Sequence, residues 1–414
     1  MSPKKFFLVI SCVMMLTLAS VTPLLAQENF PRVICDELSA DDCLLLQRSQ
    51  QEMRLVTTAH TTGETLFQLV DMPIVTMDGE QIDIPELAVE IMVDNAYTFD
   101  EATAEQWRAL AGIDQNVMTL AAMVAPESIL QLFAGLTAET QIRVRLSDAV
   151  YTWLTEESGQ PVPAEINLTM RIVDNILYLD LLEIAAALNA GDPPAAWGMI
   201  DLAELWQVPA QNSESVSPAT VAAFMVGFAV ARNNEQLVTY YEDLQRLRAL
   251  DRQLAPGRII QVERGEDQTL NGIGVASYTT TVDVRRMATW LAGLVQKFLA
   301  TMEQEVGPEV TVALTMGPSF LTGVESTNTA YIEPATARVH RQENTLIWDF
   351  SSLLGMASLF AGQTGNAFQV ESEPGAQPQL ILQTETDFDY ATQVNVEAPK
   401  DVVAVPLDEV FVQE

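Results

Sequence analysis

The alternation of apolar and polar residues in three neighbouring segments is the strongest constraint on how this chain folds. It runs through 140–155, 166–172 and 176–181, and turn-forming residues separate the segments at Gly159-Gln160-Pro161 and Asp174-Asn175. A period of two places every second side chain on one face of a β-strand. Three strands at hairpin distance therefore predict an antiparallel meander with one buried face.

Similar signals predict long strands and a few apolar helices elsewhere. Runs rich in β-branched residues predict strands at 55–70, 87–99, 258–264, 274–282, 329–332, 337–349 and 379–396. Capping residues and apolar residues at helical spacing predict helices at 39–54, 103–136, 235–250 and 285–305, and another that begins at Ser217-Pro218. The chain is therefore predicted to be an α+β protein.

The first 26 residues have the features of an export signal. Two lysines precede a nearly continuous apolar stretch at 6–26, and the polar chain starts at Gln27. This layout is typical of a secretory signal with Ala26 before the cut. An uncleaved anchor and a lipoprotein signal lipidated at Cys12 are the alternatives. The cleaved signal is favoured, because Pro23 weakens a membrane span and only a short apolar run precedes Cys12.

Two cysteines, Cys35 and Cys43, remain after removal of such a signal. They lie eight positions apart, and an even pair in an oxidising compartment predicts a disulfide. We expect it to tie the mature N-terminus to the first helix, which Ser39 caps and where Asp42 completes a capping box. Two free thiols are the alternative.

The charge balance excludes several classes of partner. The chain has 21 basic and 56 acidic residues, which gives a formal net charge of −35. A surface this negative repels phosphate backbones and anionic headgroups. We therefore expect no nucleic-acid binding and no strong binding to anionic membranes.

The chain contains few residues that could form a catalytic or metal-binding site. Its two histidines, His60 and His340, are 280 positions apart, which excludes a multi-histidine metal site and leaves few Ser–His or Cys–His pairs. His60 lies in a predicted strand, where a packing or solvent-facing role is favoured. Glu385, Asp387 and Asp389 alternate along another strand, which indicates a solvated face. We predict no catalytic residue, no metal and no cofactor.

Three motifs, in this order along the chain, resemble the envelope lipoproteins of the LppX/LprG type. They are Arg171-Ile172-Val173-Asp174-Asn175-Ile176-Leu177-Tyr178-Leu179 followed by Trp197-Gly198-Met199-Ile200-Asp201-Leu202, the hairpin strand Leu270-Asn271-Gly272 to Asp283, and Phe388-Asp389-Tyr390 followed by Val394-Asn395-Val396-Glu397-Ala398-Pro399. This family, like the related LolA/LolB lipoprotein carriers, has a strongly curved antiparallel sheet, a half-barrel, wrapped around helices. The resemblance implies the same fold here, with an apolar cavity that holds a hydrophobic ligand.

The resemblance also implies a domain organisation. It covers about 55–399 and so implies a single domain at 55–400, with helical insertions at about 100–136 and 183–250. The signal at 1–26 and a segment with the capped helix at 27–54 precede this domain. A C-terminal tail at 401–414 follows it.

We expect the helices to supply the lining of the cavity. The candidates are apolar residues of two predicted helices: Phe224, Met225, Phe228, Met287, Trp290, Leu291, Leu294 and Phe298. The predicted function is non-enzymatic binding or carriage of a lipid or other apolar small molecule by an exported, extracellular or cell-envelope protein. The alternative is an envelope structural module with a filled core, whose partner is another envelope protein. A secreted hydrolase would instead depend on His60 or His340.

Overall fold

The computed structural model describes the strands of one large sheet and helices that pack against it. The described residues are 35, 38–77, 80–82, 86–110, 134–159, 162–187, 191–207, 259–289, 292–293, 318, 321–351, 354, 368–371 and 377–405. The helices are α1 (Ala40–Arg54), α2 (Glu101–Leu110), α3 (Asp148–Ser158), α4 (Leu181–Ala187) and α5 (Leu202–Gln207). The strands are β1 (Thr58–Val70), β2 (Ile74–Met77), β3 (Glu80–Ile82), β4 (Leu87–Phe99), β5 (Leu136–Leu146), β6 (Glu165–Val173), β7 (Ile176–Asp180), β8 (Trp197–Asp201), β9 (Ile260–Arg264), β10 (Gln268–Leu270), β11 (Ile273–Asp283), β12 (Val324–Ile332), β13 (Val339–Asp349), β14 (Phe368–Glu371), β15 (Gln379–Asp389) and β16 (Val402–Ala404).

Thirteen of the described strands form a main sheet. Their order is β10-β11-β12-β13-β15-β1-β4-β5-β6-β7-β8-β16, with β9 also beside β11, while β14, β2 and β3 form a small second sheet. The described pairs are antiparallel except that of β16 with β8. The first long strand, β1, pairs with the last long strand, β15, at the centre of the sheet. The main sheet is curved and unclosed, which confirms the predicted α+β class with a curved antiparallel sheet.

The main sheet has a buried inner face and a charged outer face. On the inner face, β1 and the strands β4 to β8 form one buried apolar cluster together with helices α2 and α3. Leu136, Ile172 and Leu177 belong to this cluster. A second cluster, around Tyr278 and Ile332, lies on β9, β11, β12, β13 and β15. These strand residues share a face because the register sets them at alternate positions of adjacent strands.

The start of α1 is tied down by a disulfide and a cap. Cys35 and Cys43 are bonded through their sulfurs, with Cα atoms 5.4 Å apart. Ser39 caps the helix, and its Oγ accepts a hydrogen bond from the Asp42 amide. Further along α1, Met53 packs against both clusters. The helix and its disulfide therefore lie where the sequence places them.

The predicted strand at 140–155 is wrong in its second half. β5 ends at Leu146, and α3 follows with Ser147 as its N-cap, whose Oγ accepts a hydrogen bond from the Val150 amide. Val150 and Leu154 are buried in the first cluster. Their separation of four positions places both on one face of a helix, so helical packing replaces alternation here.

Several predicted segments lie wholly or partly outside the described residues. The signal at 1–26 lies outside them, as do 111–133 of the helix predicted at 103–136 and 208–250 of the second insertion. Within the range 183–250, the structure describes the end of helix α4, strand β8 and helix α5. Strand β16 lies within the predicted tail at 401–414. In the described ranges, no helix is long and apolar enough to cross a membrane.

Candidate functional site

The inner face carries partly exposed apolar side chains where β1, β15 and β13 lie side by side. We call Leu69, Leu346, Trp348, Leu380 and Leu382 the apolar wall. Leu380 pairs with both Leu69 and Trp348, and Leu382 pairs with Leu346 in the next row of the same face. All five are half-buried, and they belong to neither of the two clusters found in the described chain. Partly exposed apolar surface on a concave face suits a hydrophobic ligand.

Beside the apolar wall, the same face is lined by neutral polar side chains. We call this group the polar track: Thr61, Thr65, Asn95, Thr140, Asn328, Gln342, Asn344, Thr384 and Thr386. Asn344 and Thr384 are half-buried and the other seven are buried. The track shares the face of the core residue Ile91, because Thr65 pairs with both Ile91 and Thr384. A buried polar group needs hydrogen-bond partners, so this track requires an explanation.

Hydrogen bonds within the polar track join neighbouring strands. The hydroxyls of Thr65 and Thr384 are 3.2 Å apart, and Thr140 Oγ1 donates to Asn95 Oδ1 at 2.8 Å. Asn328 Nδ2 donates to Asn344 Oδ1. Asn95 is only 1% exposed, and its Nδ2 has no hydrogen-bond partner among the described residues. Asn95 Nδ2 is therefore a buried donor left unsatisfied by the described residues, which costs stability.

The outer face of the same strands is charged and solvated. Arg341 donates to both carboxylate oxygens of Asp387, at 2.7 and 2.9 Å, and lies 2.8 Å from Glu385. The hydrogen bonds to Asp387 raise the pKa of Arg341. Glu385, Asp387 and Asp389 thus lie on a solvated strand face, as their alternation predicts.

The two histidines, despite their separation in sequence, line one small pocket. The pocket has a volume of about 190 Å³ and is lined by His60, Thr62, Leu270, Asn271, Ile273, His340, Asp387, Phe388 and Asp389. His60 comes from β1 and His340 from β13, on either side of β15. His340 is the extra residue of a β-bulge, since Tyr331 pairs with Arg341 and Ile332 with Val339. Bulges of this kind change the direction of a side chain.

Each histidine ring is held by a carboxylate. His60 Nε2 lies 2.8 Å from Asp94 Oδ1, and His340 Nε2 lies 3.2 Å from Glu333 Oε2. Hydrogen bonds from Thr336 and His340 hold the pKa of Glu333 below its usual range. The sequence showed no titratable partner for His60, because Asp94 reaches it only across the β1–β4 pair.

The pocket is lined by Thr62, Asp387 and Asp389 in addition to the two histidines. No serine or cysteine is among its lining residues, so the two histidines have no such nucleophile to activate there. Within the described ranges, no group of three or more His, Cys, Asp or Glu side chains is placed to hold a metal ion.

A charged cluster joins α1 to the inner face. Asp42 Oδ1 accepts hydrogen bonds from the Tyr278 hydroxyl at 2.7 Å and from Arg264 Nε at 3.1 Å, and Asp42 Oδ2 accepts one from Ser39 Oγ at 2.6 Å. The bonds from Ser39 and Tyr278 lower the pKa of Asp42. Burial and the bond to Asp42 raise the pKa of the Tyr278 phenol. The ionised form of Asp42 therefore stabilises the folded state.

Substitution Asp42→Asn is expected to lower the free energy of unfolding at pH 7 by about 1.5 kcal/mol, because the hydrogen bonds lose their charged acceptor. The folded pKa of Asp42 lies below its unfolded value of about 3.9, so this stabilisation is complete above that pH. It is lost as the pH falls through the folded pKa. Urea unfolding between pH 7 and 2.5 should therefore show the difference from wild type shrinking in acid.

The exposed neighbour Asp41 provides the control for this measurement. Substitution Asp41→Asn should change stability by less than about 0.5 kcal/mol. A difference between wild type and Asp42→Asn that stayed constant down to pH 2.5 would contradict the assigned role of the carboxylate.

The predicted lining residues fall mostly outside the described chain. Met287 is half-buried and packs against the second cluster. The other seven, Phe224, Met225, Phe228, Trp290, Leu291, Leu294 and Phe298, lie outside the described residues. The partly exposed apolar side chains of the apolar wall lie on strands. Their signal in the sequence is a consecutive apolar run, Leu-Ile-Trp at 346–348 and Leu-Ile-Leu at 380–382, which marks strand segments that are apolar on both faces.

Comparison with known proteins gives matches by structure. No family model and no curated protein matches the sequence. Solved structures similar to this one include LprF from Mycobacterium bovis, with a TM-score of 0.27 and 7% identity over 87% of this chain and 98% of that chain. Another is the Mycobacterium tuberculosis lipoprotein LppX, with a TM-score of 0.25 and 11% identity over 86% of this chain and 100% of that chain. A DUF1329 family protein from Desulfovibrio piger has a TM-score of 0.19 and 6% identity over 90% of this chain and 98% of that chain.

Proposed function

We propose that this chain is an exported cell-envelope protein that binds or carries a lipid or other hydrophobic ligand on the inner face of its sheet. The apolar wall is the observation that supports the proposal most directly. Among the described residues, its side chains pack against neither of the two clusters, whereas Phe67 and Leu87 nearby pack against the first. A ligand that covered the wall would remove apolar surface from water, at about 25 cal/mol per Å².

The proposed role is binding without catalysis. The apolar wall contains no polar side chain except the Trp348 indole, and the polar track contains no titratable group. The formal charge of −35 disfavours direct adsorption to anionic membranes. Exchange of the ligand with another envelope protein is therefore part of the proposal.

The test uses the full chain, purified after export, in native mass spectrometry and organic extraction. We expect a bound lipid in the wild type and a mature chain that starts at Gln27. Substitution Leu382→Lys places a charge in the apolar wall. It should weaken binding of the neutral fluorescent probe N-phenyl-1-naphthylamine by at least about tenfold.

The neighbouring residue Ile381 supplies the matched control. It lies on the same strand, is also half-buried, and faces the outer side of the sheet. Substitution Ile381→Lys should leave probe affinity within about twofold of wild type, well inside one tenfold step of 1.4 kcal/mol. A wild-type protein that yields no lipid and binds no probe would overturn the proposed function and favour a module with a filled core.

A further inference from the structure

The pocket lined by His60 and His340 lies on the other side of the sheet from the apolar wall. His60 and Thr62 of β1 pair directly with Asp389 and Asp387 of β15, so these four side chains share the charged outer face. The pocket therefore lies outside the proposed lipid surface, and its occupancy does not depend on the proposed function.

The end of the hairpin formed by β10 and β11 supplies another wall of the pocket. Asn271 and Gly272 both have positive φ angles, 50° and 85°, as a tight hairpin turn requires. Leu270 and Ile273 flank this turn and pair with each other. Although β12, β13 and β15 lie between β11 and β1 in the sheet, this hairpin end lines the same pocket as His60. The pocket thus has apolar surface beside its polar groups.

The Asp389 carboxylate gives the pocket a negative charge that its own hydrogen bonds leave uncompensated. It accepts hydrogen bonds from the amides of Ala391 and Thr392, at 2.7 and 3.3 Å, and from the Thr392 hydroxyl. All three donors are neutral, and the bonds from Thr392 and Ala391 lower the pKa of Asp389. Asp387, by contrast, is bonded to Arg341 at both oxygens. Among the described residues, no lysine or arginine lines the pocket, which therefore favours a cation.

The two imidazole rings add hydrogen-bond acceptors. Each Nε2 faces a carboxylate, Asp94 for His60 and Glu333 for His340, and a carboxylate can only accept. The proton of the neutral ring is therefore on Nε2, which leaves Nδ1 as an acceptor. A primary ammonium group has three donors and no acceptor, so it matches a pocket with this composition.

We propose that this pocket binds a primary ammonium group carried on a short alkyl chain. The ammonium group donates to Asp389 and to the two histidines, while the alkyl chain lies on Leu270, Ile273 and Phe388. The volume of about 190 Å³ accommodates about six non-hydrogen atoms, if each takes the roughly 30 Å³ of a water in the liquid. Butylammonium and the side chain of a lysine both fit within this limit.

The test is an NMR titration of the purified full chain, without a histidine tag and with ¹³C-labelled histidine. The chain has two histidines and both line the pocket, so their imidazole signals report on this site. A buffer at pH 8 keeps imidazole groups neutral and alkylammonium groups charged. We expect butylammonium to shift both signals and to bind at least about tenfold more tightly than tetramethylammonium, which has the same charge but no N–H donor. Butyrate should not bind.

Substitution Asp389→Asn tests the role of the charge. An asparagine oxygen still accepts the amide hydrogen bonds of the turn, so the fold is retained. The affinity for butylammonium should fall at least about fivefold. The matched control is Asp201→Asn, an exposed carboxylate near the other edge of the sheet that accepts a hydrogen bond from the Ala203 amide at 2.8 Å. It should leave the affinity within about twofold of wild type.

Substitution His60→Phe tests the role of the imidazole acceptor. Its partner Asp94 is 54% exposed, so water replaces the lost hydrogen bond and the fold is retained. With His340 as the remaining reporter, the affinity for butylammonium should fall about fivefold. Equal binding of butylammonium and tetramethylammonium, or wild-type affinity in both Asp389→Asn and His60→Phe, would overturn the proposed site.

Two further probes distinguish the sources of the ammonium group. Tighter binding of cadaverine than of Nα-acetyl-lysine methylamide would support a free amine as the ligand. The reverse order would support a lysine side chain of a partner protein. None of these probes carries a long hydrocarbon chain, so failure of all of them to bind would overturn this site and leave the proposed function untouched.

Discussion

Replacement of Leu136 by alanine is expected to lower the free energy of unfolding by about 3 kcal/mol. Leu136 is 0% exposed and pairs with Phe99, whose ring stacks on Trp107 with centroids 5.5 Å apart. Truncation removes buried methyl groups and leaves a cavity where α2 meets the sheet. Urea unfolding followed by circular dichroism measures the change.

The exposed residue Leu182 is the matched control for this core substitution. Its side chain is 53% exposed, so Leu182→Ala should change stability by less than about 0.5 kcal/mol. Equal effects of the two substitutions would contradict the placement of Leu136 at the centre of the first cluster.

Loss of the disulfide is expected to have the second largest effect. Cys35 and Cys43 close a loop with a sequence separation of 8, for which chain entropy predicts a loss of about 2.5 kcal/mol in the Cys35→Ser/Cys43→Ser variant. Asp42 lies beside Cys43, so its bonds to Arg264 and Tyr278 should weaken as well. Dithiothreitol should destabilise the wild type by a similar amount.

The serine variant serves as the control for reduction. Dithiothreitol should leave the unfolding curve of Cys35→Ser/Cys43→Ser unchanged. Coincident unfolding of oxidised and reduced wild type would show that α1 is held without the disulfide.

Local patterns predicted those parts of the fold that depend on neighbours in sequence. The alternation through Leu146 and from 166 to 181 corresponds to β5, β6 and β7, and the cap at Ser39 begins α1. The pattern failed after Ser147. There, a capping hydroxyl and two apolar residues four positions apart favour a helix, although the preceding residues alternate.

The candidate site depends on contacts that no local pattern reports. His60 and His340 meet because β15 lies between β1 and β13, and the polar track exists only when the register of several strands is known. One trace of the track is nevertheless visible in the sequence. Segments 61–65, 341–345 and 383–387 are polar at nearly every position, so both faces of these strands must be polar. The same reasoning applied to 346–348 and 380–382 would have predicted the apolar wall, since both faces of these segments are apolar.

The central pairing of β1 with β15 has a consequence for the timing of folding. The hydroxyl contact between Thr65 and Thr384 joins residues 319 positions apart. Chains dominated by such distant pairings fold slowly, because a long loop must close before the contact forms. The middle of the sheet is therefore incomplete until nearly the whole polypeptide has been synthesised. For the proposed export, this delay would be an advantage, because the extended chain would cross the membrane before its last long strand pairs.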